Sequence, residues 1–565
     1  MNRPDSNLTE QSALLATHRI GGDGGRKWKG FGGVGCAVAL VLFVTGWVSQ
    51  TRILVSNEQS TTDSSFDGAY PFPSDFVWGT ATSSYQIEGA VDEGGRRPSI
   101  WDAFCQETDT ILDNSDGSIA CVSEHSSGRD AFSSDHHSTN FSLYLIPLSH
   151  SQDHYHRFRE DVLLMKQLNI RAYRFSISWP RIIPEGRGQV NQEGILFYND
   201  LIDTLLEHDI EPWATLFHWD LPLPVYENYG GWMNQSYTVD AFGEYARVCF
   251  QAFGDRVKHW ITINEPWTVA VNGHGVGVHA PGHHTSTEPY IVGHSLILAH
   301  ATAASIYKNE FLNQQKGKIG LSNSGDHRYP LTVTETEAAE RAKLFQLGWF
   351  TDPFFFGDYP QVMRQRLGNR LPNFSEEQKD LLLNVTDFIG LNYYSSLLAS
   401  TPATEASWEG YWADCHVDFS MHETWKTNAM GWPIVPDGLR DILLWISERY
   451  SYPLIYVTEN GSAEEEPDVL SAISDEKRKS FFEDHLRACG QALEHGVRLG
   501  GYFLWSLMDN FEWQFGYERR FGMCYVDFET LERTPKSSAF WYSGVIDSGG
   551  LSIPRKPEFS WNPSG

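Results

Sequence analysis

From residue 70 onward, short apolar runs alternate with longer stretches of helical periodicity, and this alternation restricts the fold more than any other feature. The runs have the length and composition of strands buried on both faces. There are eight of them, at 76–80, 172–176, 211–217, 259–263, 318–322, 387–392, 454–458 and 501–506. One strand per helix, repeated in this way, predicts a single (β/α)8 TIM barrel over residues 70–546. An open doubly wound sheet is the alternative, but the sequence lacks the Gly-rich phosphate turn that such a sheet favours.

The segments outside the barrel differ in composition. Residues 1–30 are polar and partly basic, and residues 31–48 contain no charged side chain. This order predicts a signal anchor or a signal peptide, with the barrel translocated. Both a cleaved and an uncleaved segment 31–48 fit this pattern. The protein is therefore either membrane-anchored through a single transmembrane helix, with a luminal or extracellular barrel, or secreted. Residues 49–69 are a polar linker, and residues 547–565 form a C-terminal tail.

One segment interrupts the barrel pattern. Residues 122–152 are rich in Ser and His and lie between the first and second predicted strands. They are either a surface insertion, which folded chains tolerate well, or an intron retained in the coding sequence. The second alternative arises because codons for Val122 and Gln152 can supply the GT and AG ends of an intron.

Composition excludes some partners. The formal net charge of −29 argues against nucleic acid, because phosphate binding needs clustered Lys and Arg. Seven Cys residues do not make a disulfide framework in a chain of 565. A disulfide between Cys105 and Cys121 is one possible pairing, and the spacing alone does not decide it. Glycosylation sequons, typical of a luminal glycoprotein, occur at Asn140, Asn234, Asn373 and Asn384.

Polar and aromatic side chains collect where the predicted strands end. In (β/α)8 barrels, the C-terminal ends of the strands carry the chemistry. Seven of the eight ends carry a carboxylate, an amide, an imidazole, a cation or an indole, at 83–89, 174–179, 217–220, 262–266, 390–394, 458–461 and 505–513. One such end would mean little, but seven together predict a functional site at the barrel mouth.

Two of these ends carry glutamates, Glu265 and Glu459. Paired carboxylates suit cleavage of a glycosidic bond, since one attacks the anomeric carbon and the other protonates the leaving group. A nearby Arg174 would keep Glu459 ionised, whereas burial beside a negative partner would raise the pKa of Glu265. We expect the carboxyl groups to lie about 5–5.5 Å apart, the separation found in retaining enzymes.

The motifs at 262–266 and 457–461 resemble the acid/base and nucleophile signatures of glycoside hydrolase family 1, the β-glucosidase family, and 76–89 resembles its N-terminal signature. The resemblance covers residues 70–546 apart from 122–152. It implies retaining hydrolysis through a covalent glycosyl-enzyme, without a cofactor. Glu265 would then be the acid/base and Glu459 the nucleophile.

The same resemblance assigns supporting and substrate-binding residues. Arg174 and Asn392 would support the centre, Tyr394 would tune the nucleophile, and Trp505 would be the platform for the sugar ring. The residues it places at the substrate are Gln86, His218, Trp219, Asn264, Asn392, Tyr394, Trp505, Glu512, Trp513 and Phe521.

Two positions narrow the predicted substrate. Family members that act on thioglucosides replace the acid/base Glu with Gln, so Glu265 favours an O-glycosidase. A carboxylate at Glu512 would repel a 6-phosphate. The substrate is therefore expected to be a terminal unphosphorylated β-D-glucoside, with β-galactosides and β-fucosides as alternatives. A catalytically inert membrane-tethered glycan receptor and a transglycosidase also remain open; the aglycone and the oligomeric state are not predicted.

The remaining histidines give no metal prediction. His279, His283 and His284 lie in a Gly- and Pro-rich loop without a recognisable ligand spacing, and are interpreted as loop or aglycone-side residues. His136 and His137 fall in the 122–152 segment and are poor ligand candidates for that reason.

Overall fold

The computed structural model describes residues 69–117 and 152–552, apart from positions 405, 407, 408 and 467. Eight parallel strands close into a barrel in which neighbours in sequence are also neighbours in space. The strands are β1 (Val77–Ala81), β2 (Ala172–Ser176), β3 (Glu211–Phe217), β4 (His259–Asn264), β5 (Lys318–Ser324), β6 (Phe388–Asn392), β7 (Ile455–Asn460) and β8 (Leu499–Trp505). The predicted (β/α)8 barrel is therefore confirmed.

Helices surround the barrel. The longer ones are α1 (His154–Gln167), α2 (Gln192–Glu207), α3 (Gln235–Phe253), α4 (Glu288–Ile306), α5 (Thr336–Lys343), α6 (Pro436–Arg449), α7 (Glu476–Glu494) and α8 (Ser537–Ser548). Shorter helical segments occupy Ser84–Ile87, Ile100–Phe104, Trp179–Ile182, Leu223–Tyr229, Gly231–Met233, Pro266–Thr268, Val269–Val276, Tyr307–Phe311, Leu312–Gln315, Leu344–Gly348, Trp349–Phe356, Gln361–Leu367, Gly368–Arg370, Glu376–Leu382, Tyr411–Cys415, Val469–Ile473 and Trp513–Phe515.

Helix α2 illustrates how the sequence produces this outer layer. Asn191 caps its first turn by accepting a hydrogen bond from the backbone N–H of Glu193. Phe197, Leu201 and Leu205 recur every four residues and are all buried, which gives the helix one apolar face toward the strands.

The lower interior of the barrel is filled by aromatic side chains. The ring of Trp213 on β3 is fully buried and lies 6.0, 4.8 and 4.9 Å, between centroids, from the rings of Phe388, Tyr456 and Phe503. A Cβ added at Gly79 would lie 2.4 Å from the Phe503 ring, so this position has room for glycine only. This packed floor leaves the opposite end of the barrel, where the strands end, as the mouth.

Short strands lie outside the barrel. Ala69–Pro71 pairs with Gly550–Ser552, and Cys524–Val526 pairs with Arg533–Pro535. A three-stranded sheet contains His327–Pro330, Ser396–Ser400 and Asp418–Ser420. The first pair corrects the predicted boundary of the C-terminal tail: residues 547–552 end α8 and form a strand, so the folded domain runs to residue 552.

Several predicted segments lie outside the described residues. These are 1–30, the apolar run 31–48, the linker up to residue 68, residues 122–151 of the insertion, and the tail from 553. Within the part that the structure describes, no helix is long and apolar enough to span a membrane. Cys105 is a free thiol there, and Cys121 lies outside this part.

Candidate active site

Irregular backbone at the strand ends directs the predicted site residues toward the mouth. The pairing register shifts between Ile261 and Asn264 on β4 and between Val457 and Glu459 on β7. Such bulges re-aim side chains and are frequent beside active sites. Glu265 itself has a left-handed backbone, with φ of 47°. Non-glycine residues adopt this conformation at an energetic cost, which is characteristic of functional positions.

Glu459 is held between a cation and a phenol. It is 3% exposed, and its Oε1 accepts a hydrogen bond of 2.5 Å from Nη1 of the fully buried Arg174. Its Oε2 accepts a 2.6 Å hydrogen bond from the Tyr394 hydroxyl. A buried carboxylate needs such partners to remain charged. The structure thus brings together the three side chains that the sequence grouped as nucleophile, supporting cation and tuning hydroxyl.

Glu265 has different surroundings. Its Oε1 accepts a 2.8 Å hydrogen bond from Asn392 Nδ2, and its Oε2 accepts a 2.7 Å hydrogen bond from the Thr268 hydroxyl. It forms no ion pair with a cation among the described residues. Burial and then the negative charge of Glu459 raise the pKa of Glu265 to about 7. The two buried carboxyl groups therefore have opposite electrostatic surroundings: a cation lies beside Glu459, and a negative charge lies near Glu265.

The amide of Asn264 links the two carboxyl groups. Its Oδ1 accepts hydrogen bonds from Arg174 Nη2 at 2.6 Å and from Asn392 Nδ2 at 3.0 Å. Arginine can only donate, so the orientation of the Asn264 amide is fixed, and its Nδ2 must donate to His218 Nε2, 3.1 Å away. His218 Nε2 is then an acceptor, and the ring proton resides on Nδ1.

That proton of His218 is not used within the described part of the protein. Nδ1 of His218 is buried and has no hydrogen-bond partner among the described residues. Burial, and then the charge of Arg174, lower the pKa of His218 well below its usual value, so the ring is neutral. A buried N–H without a protein partner is a donor available to a ligand.

Indole rings form one wall of the site. Trp505 lies at the end of β8 and stacks near His218, with ring centroids 5.9 Å apart. Trp513 lies 4.3 Å from Trp219 and 4.6 Å from Trp101, which the sequence reasoning did not select. Trp219 donates its indole N–H to the backbone carbonyl of Asn264 at 3.0 Å, which ties this wall to the carboxyl centre.

Gln86 lies in the short helix Ser84–Ile87, which contacts the segment that contains Glu512. Gln86 Nε2 donates to the Asn510 side chain at 3.0 Å and to the Phe511 carbonyl at 2.8 Å, and Gln86 Oε1 accepts from Ser83. Both Nε2 hydrogens are thus used within the protein. Glu512 directly follows Phe511 in the chain. Burial together with the charges of Glu459 and Glu265 raises the pKa of Glu512 to about 8. Its Oε2 is buried without a hydrogen-bond partner among the described residues.

Phe521 packs beside the Glu459 side of the site. Its ring lies 6.1 Å from the Tyr394 ring in a perpendicular arrangement. Trp432, which the sequence reasoning missed, lies 5.7 Å from Tyr394 and 6.2 Å from Phe521. The structure therefore brings every predicted site residue to the barrel mouth or into contact with a residue there.

Two threonines were also missed. Thr268 contacts Glu265, and Thr458 donates to Asn392 Oδ1 at 2.7 Å. A signal for Thr268 was available, because it follows Glu265 by three residues at the start of a helix, where the two side chains share a face. Thr458 directly precedes Glu459, where the sequence pattern indicates only the end of a strand.

The histidines of the loop before α4 take separate positions. His279 Nε2 lies 2.5 Å from Oε1 of Gln514, next to Trp513, so this residue lies near the mouth. His283 instead lies beside Glu288 and His274, with Nδ1 2.6 Å from Glu288 Oε2. This grouping was missed because the partners of His283 are nine residues earlier and five residues later in the chain.

Comparison with known proteins shows the family to which the chain belongs. The model of Glycosyl hydrolase family 1 matches residues 69–135 and 129–551, and the chain belongs to this family. Its enzymatic type is that of a β-glucosidase. "Beta-glucosidase 42" of Arabidopsis thaliana is 46% identical over 488 residues, covering 83% of this chain and 93% of the relative.

Solved structures agree with this class. A rice beta-glucosidase mutant, in a covalent complex with Glc, superposes with a TM-score of 0.76 at 40% identity, covering 84% of this chain and 98% of the other. A family 1 glucosidase from Thermotoga maritima gives a TM-score of 0.75 at 38% identity, covering 86% of this chain and all of the other (100%).

Proposed function

We propose that the protein is a retaining β-glycosidase that hydrolyses terminal unphosphorylated β-D-glucosides through a covalent glycosyl-enzyme. The observation that carries this proposal is the contrast between the two buried glutamates. Glu459 has a buried guanidinium within 2.5 Å, whereas burial and a neighbouring negative charge raise the pKa of Glu265 to about 7. Retaining cleavage requires one carboxylate and one carboxylic acid at the same site.

In the first step, Glu459 attacks the anomeric carbon and Glu265 protonates the departing oxygen. The protonated oxygen of Glu265 follows from the hydrogen bonds around it. Asn264 Oδ1 accepts from Asn392 Nδ2, so Nδ2 is a donor, and Glu265 Oε1 must accept from it as well. The proton is therefore assigned to Oε2; the Thr268 hydroxyl, 2.7 Å away, accepts from the protonated acid and donates to Oε2 once the proton has been transferred.

In the second step, water releases the sugar. Once Glu459 is esterified it carries no charge, so the second-largest cause that raises the pKa of Glu265 is lost. Glu265, having given up its proton, then accepts one from water as the water attacks the anomeric carbon. The sugar leaves with the configuration it had in the substrate, and both glutamates return to their starting states.

Groups without protein partners supply the contacts to the sugar. His218 Nδ1 is a buried donor, and Glu512 Oε2 is a buried oxygen, both without partners among the described residues. With its pKa raised to about 8, Glu512 can donate as well as accept at neutral pH. The face of Trp505 offers an apolar surface to the pyranose ring. These groups suit uncharged hydroxyls, and none of the three carries a positive charge that would pair with a phosphorylated sugar.

Substitution and product analysis test the proposal. Glu459→Gln and Glu265→Gln should each abolish hydrolysis of an aryl β-glucoside while leaving far-ultraviolet circular dichroism unchanged. In the wild type, NMR should detect the β-anomer of the sugar as the first product. Release of the α-anomer would show inversion and would remove Glu459 from the role of nucleophile.

Azide distinguishes the two glutamates. In Glu459→Ala, azide should replace the nucleophile and give an α-glycosyl azide. In Glu265→Ala, azide should attack the glycosyl-enzyme and give a β-glycosyl azide. Exchanged products would reverse the assignment. Sugar binding without turnover in the wild type would instead identify an inert receptor, and glycoside formation with an added alcohol would identify a transglycosidase.

Membrane attachment through residues 31–48 is a separate proposal, supported by the uncharged apolar run that follows basic residues. Alkaline carbonate washing of membranes from cells that express the full chain should leave the protein in the pellet. Release of a protein whose N-terminus begins after residue 48 would indicate a cleaved signal peptide.

A further inference from the structure

We propose that His274, His283 and Glu288 form a binding site for a divalent transition-metal ion, with Zn²⁺ as the best-matched ion. The three residues offer one ligand atom each, and all three atoms lie within 4.8 Å of one another. The site is separate from the glycosidase centre and does not depend on the proposed function.

Both imidazole rings point the same nitrogen at one carboxylate oxygen. His274 Nδ1 lies 3.0 Å from Glu288 Oε2, and His283 Nδ1 lies 2.6 Å from the same atom. The ring centroids are 5.1 Å apart and the ring planes are almost perpendicular, at 86°. Three donor atoms thus converge on a single region. A cation that replaces the two Nδ1 protons would meet two imidazole nitrogens and a carboxylate oxygen.

The backbone already holds the three ligands together. His274 is in the last turn of the π-helical segment Val269–Val276, a type of irregularity that is frequent at functional sites. The amide N–H of His283 donates to the Gly273 carbonyl at 2.9 Å. The Thr285 hydroxyl donates to the His274 carbonyl and accepts from the Glu288 amide, both at 3.1 Å. Little reorganisation is therefore needed before a metal binds.

Tyr226 supplies the outer contact that metal-bound histidines commonly have. Its hydroxyl lies 2.7 Å from His283 Nε2. Without metal, His283 donates from Nδ1 to Glu288, and Tyr226 donates to Nε2. With metal on Nδ1, the ring proton resides on Nε2, and Nε2 donates a hydrogen bond to the Tyr226 hydroxyl. A hydroxyl can take either role, so both tautomers of His283 are satisfied.

The ligand set indicates the metal class. Two imidazoles and one carboxylate match Zn²⁺ and neighbouring transition metals better than Ca²⁺ or Mg²⁺, which prefer oxygen ligands. Three protein ligands leave a fourth tetrahedral position for water. His274 is buried, but His283 and Glu288 have side chains that are 31% and 22% exposed, so an ion can enter from solvent.

A bound ion would affect the mouth of the barrel. His274 and His279 line one small cavity together with Trp101 and Trp219. His279 in turn contacts Gln514, which follows Trp513. A metal bound to His274 and Glu288 would link the segment Val269–Val276 to the start of α4 and fix the loop between them. His279, in the middle of this loop, lies beside Trp101 and Trp219.

Metal stoichiometry of the full-length protein tests the proposal. After treatment with EDTA, the protein is equilibrated with Zn²⁺, and bound zinc is counted by elemental analysis. Wild type should retain one more equivalent than His283→Phe and Glu288→Gln. Co²⁺ should give the intense visible absorption of a four-coordinate site in wild type and lose it in both variants. Tyr226→Phe should retain the site but weaken Zn²⁺ binding about 10–100-fold.

Two controls separate a built site from general binding to histidines. His259→Gln removes a His–Glu pair in which His259 Nδ1 lies 2.6 Å from Glu211 Oε1. No third metal ligand joins this pair among the described residues, so the stoichiometry should be unchanged. His284→Ala removes the next histidine, whose Nδ1 faces the Val276 carbonyl, and should do the same. Equal zinc content in wild type and in correctly folded His283→Phe would overturn the proposal and leave a hydrogen-bonded His–Glu–His cluster.

Discussion

The pKa of Glu265 offers the sharpest test of the proposed mechanism, because the mechanism requires it to change during the reaction. It is raised from its ordinary 4.5 to about 7, a rise equivalent to about 3.4 kcal/mol in favour of the acid. Burial is the largest cause and the charge of Glu459 is the second. Glu459→Gln removes the charge but keeps the shape and the burial.

The size of the expected change can be worked out from the site. At the separation of about 5.5 Å expected for retaining enzymes, a unit charge contributes about 3 kcal/mol at an effective dielectric constant of about 20. Arg174 lies against Glu459 and offsets much of that charge. We therefore expect the pKa of Glu265 to fall by about one unit in Glu459→Gln, which is about 1.4 kcal/mol. It should stay above its ordinary value because burial is unchanged.

Carboxyl titration by ¹³C NMR, in protein labelled at the glutamate side chains, measures this change. The resonance of Glu265 is assigned by its loss in Glu265→Gln. Wild type trapped with a 2-deoxy-2-fluoroglucoside should show a similar fall, since esterification also removes the charge of Glu459. Glu310→Gln, on the outer helical layer and paired with Arg247, is the matched control and should have no effect. An unchanged pKa in both Glu459→Gln and the trapped enzyme would refute the reasoning.

Three further predictions concern the same domain. Arg174→Lys keeps a cation but cannot contact both Glu459 and Asn264, so kcat on an aryl β-glucoside should fall about 100-fold or more; the exposed Arg159→Lys should leave it unchanged. The unfolded chain releases the Glu265 proton near pH 4.5 and the folded protein near pH 7, so this group lowers stability as pH rises through that window, by at most about 3.4 kcal/mol. Glu265→Gln should therefore raise Tm more at pH 8 than at pH 5 in calorimetry, and an equal rise at both would contradict this account. Removal of residues 122–152 should leave Tm unchanged and kcat/KM on the aryl glucoside within twofold of the full chain (about 0.4 kcal/mol), whereas loss of folding would show that the segment is structural.

The barrel could be predicted because its strands are buried on both faces. Strands β2 and β3 have the bounds expected from their apolar runs, and the other six differ by at most two residues at either end. The positions of Glu265 and Glu459 followed from the same reasoning, since parallel strands bring their C-terminal ends to one edge.

Features set by loop conformation could not be read from periodicity. The pattern at 291–311 predicts one helix, but α4 ends at residue 306 and a π-helical turn follows, because periodicity does not distinguish hydrogen-bonding patterns. His274 and His283 come together through the turn between them. Similarly, Glu512 Oε2 has no hydrogen-bond partner among the described residues because no neighbouring polar group reaches it, and the sequence does not show this.

The pairing of Ala69–Pro71 with Gly550–Ser552 has a practical consequence. Tyr70 packs against Gly490 near the C-terminal end of α7, so both ends of the folded domain lie side by side at the closed end of the barrel. A surface or fusion partner attached at either end would therefore leave the mouth unobstructed. The two ends are also close enough to be joined by a short peptide. A circularly permuted enzyme, opened at an exposed loop, is thus a realistic design.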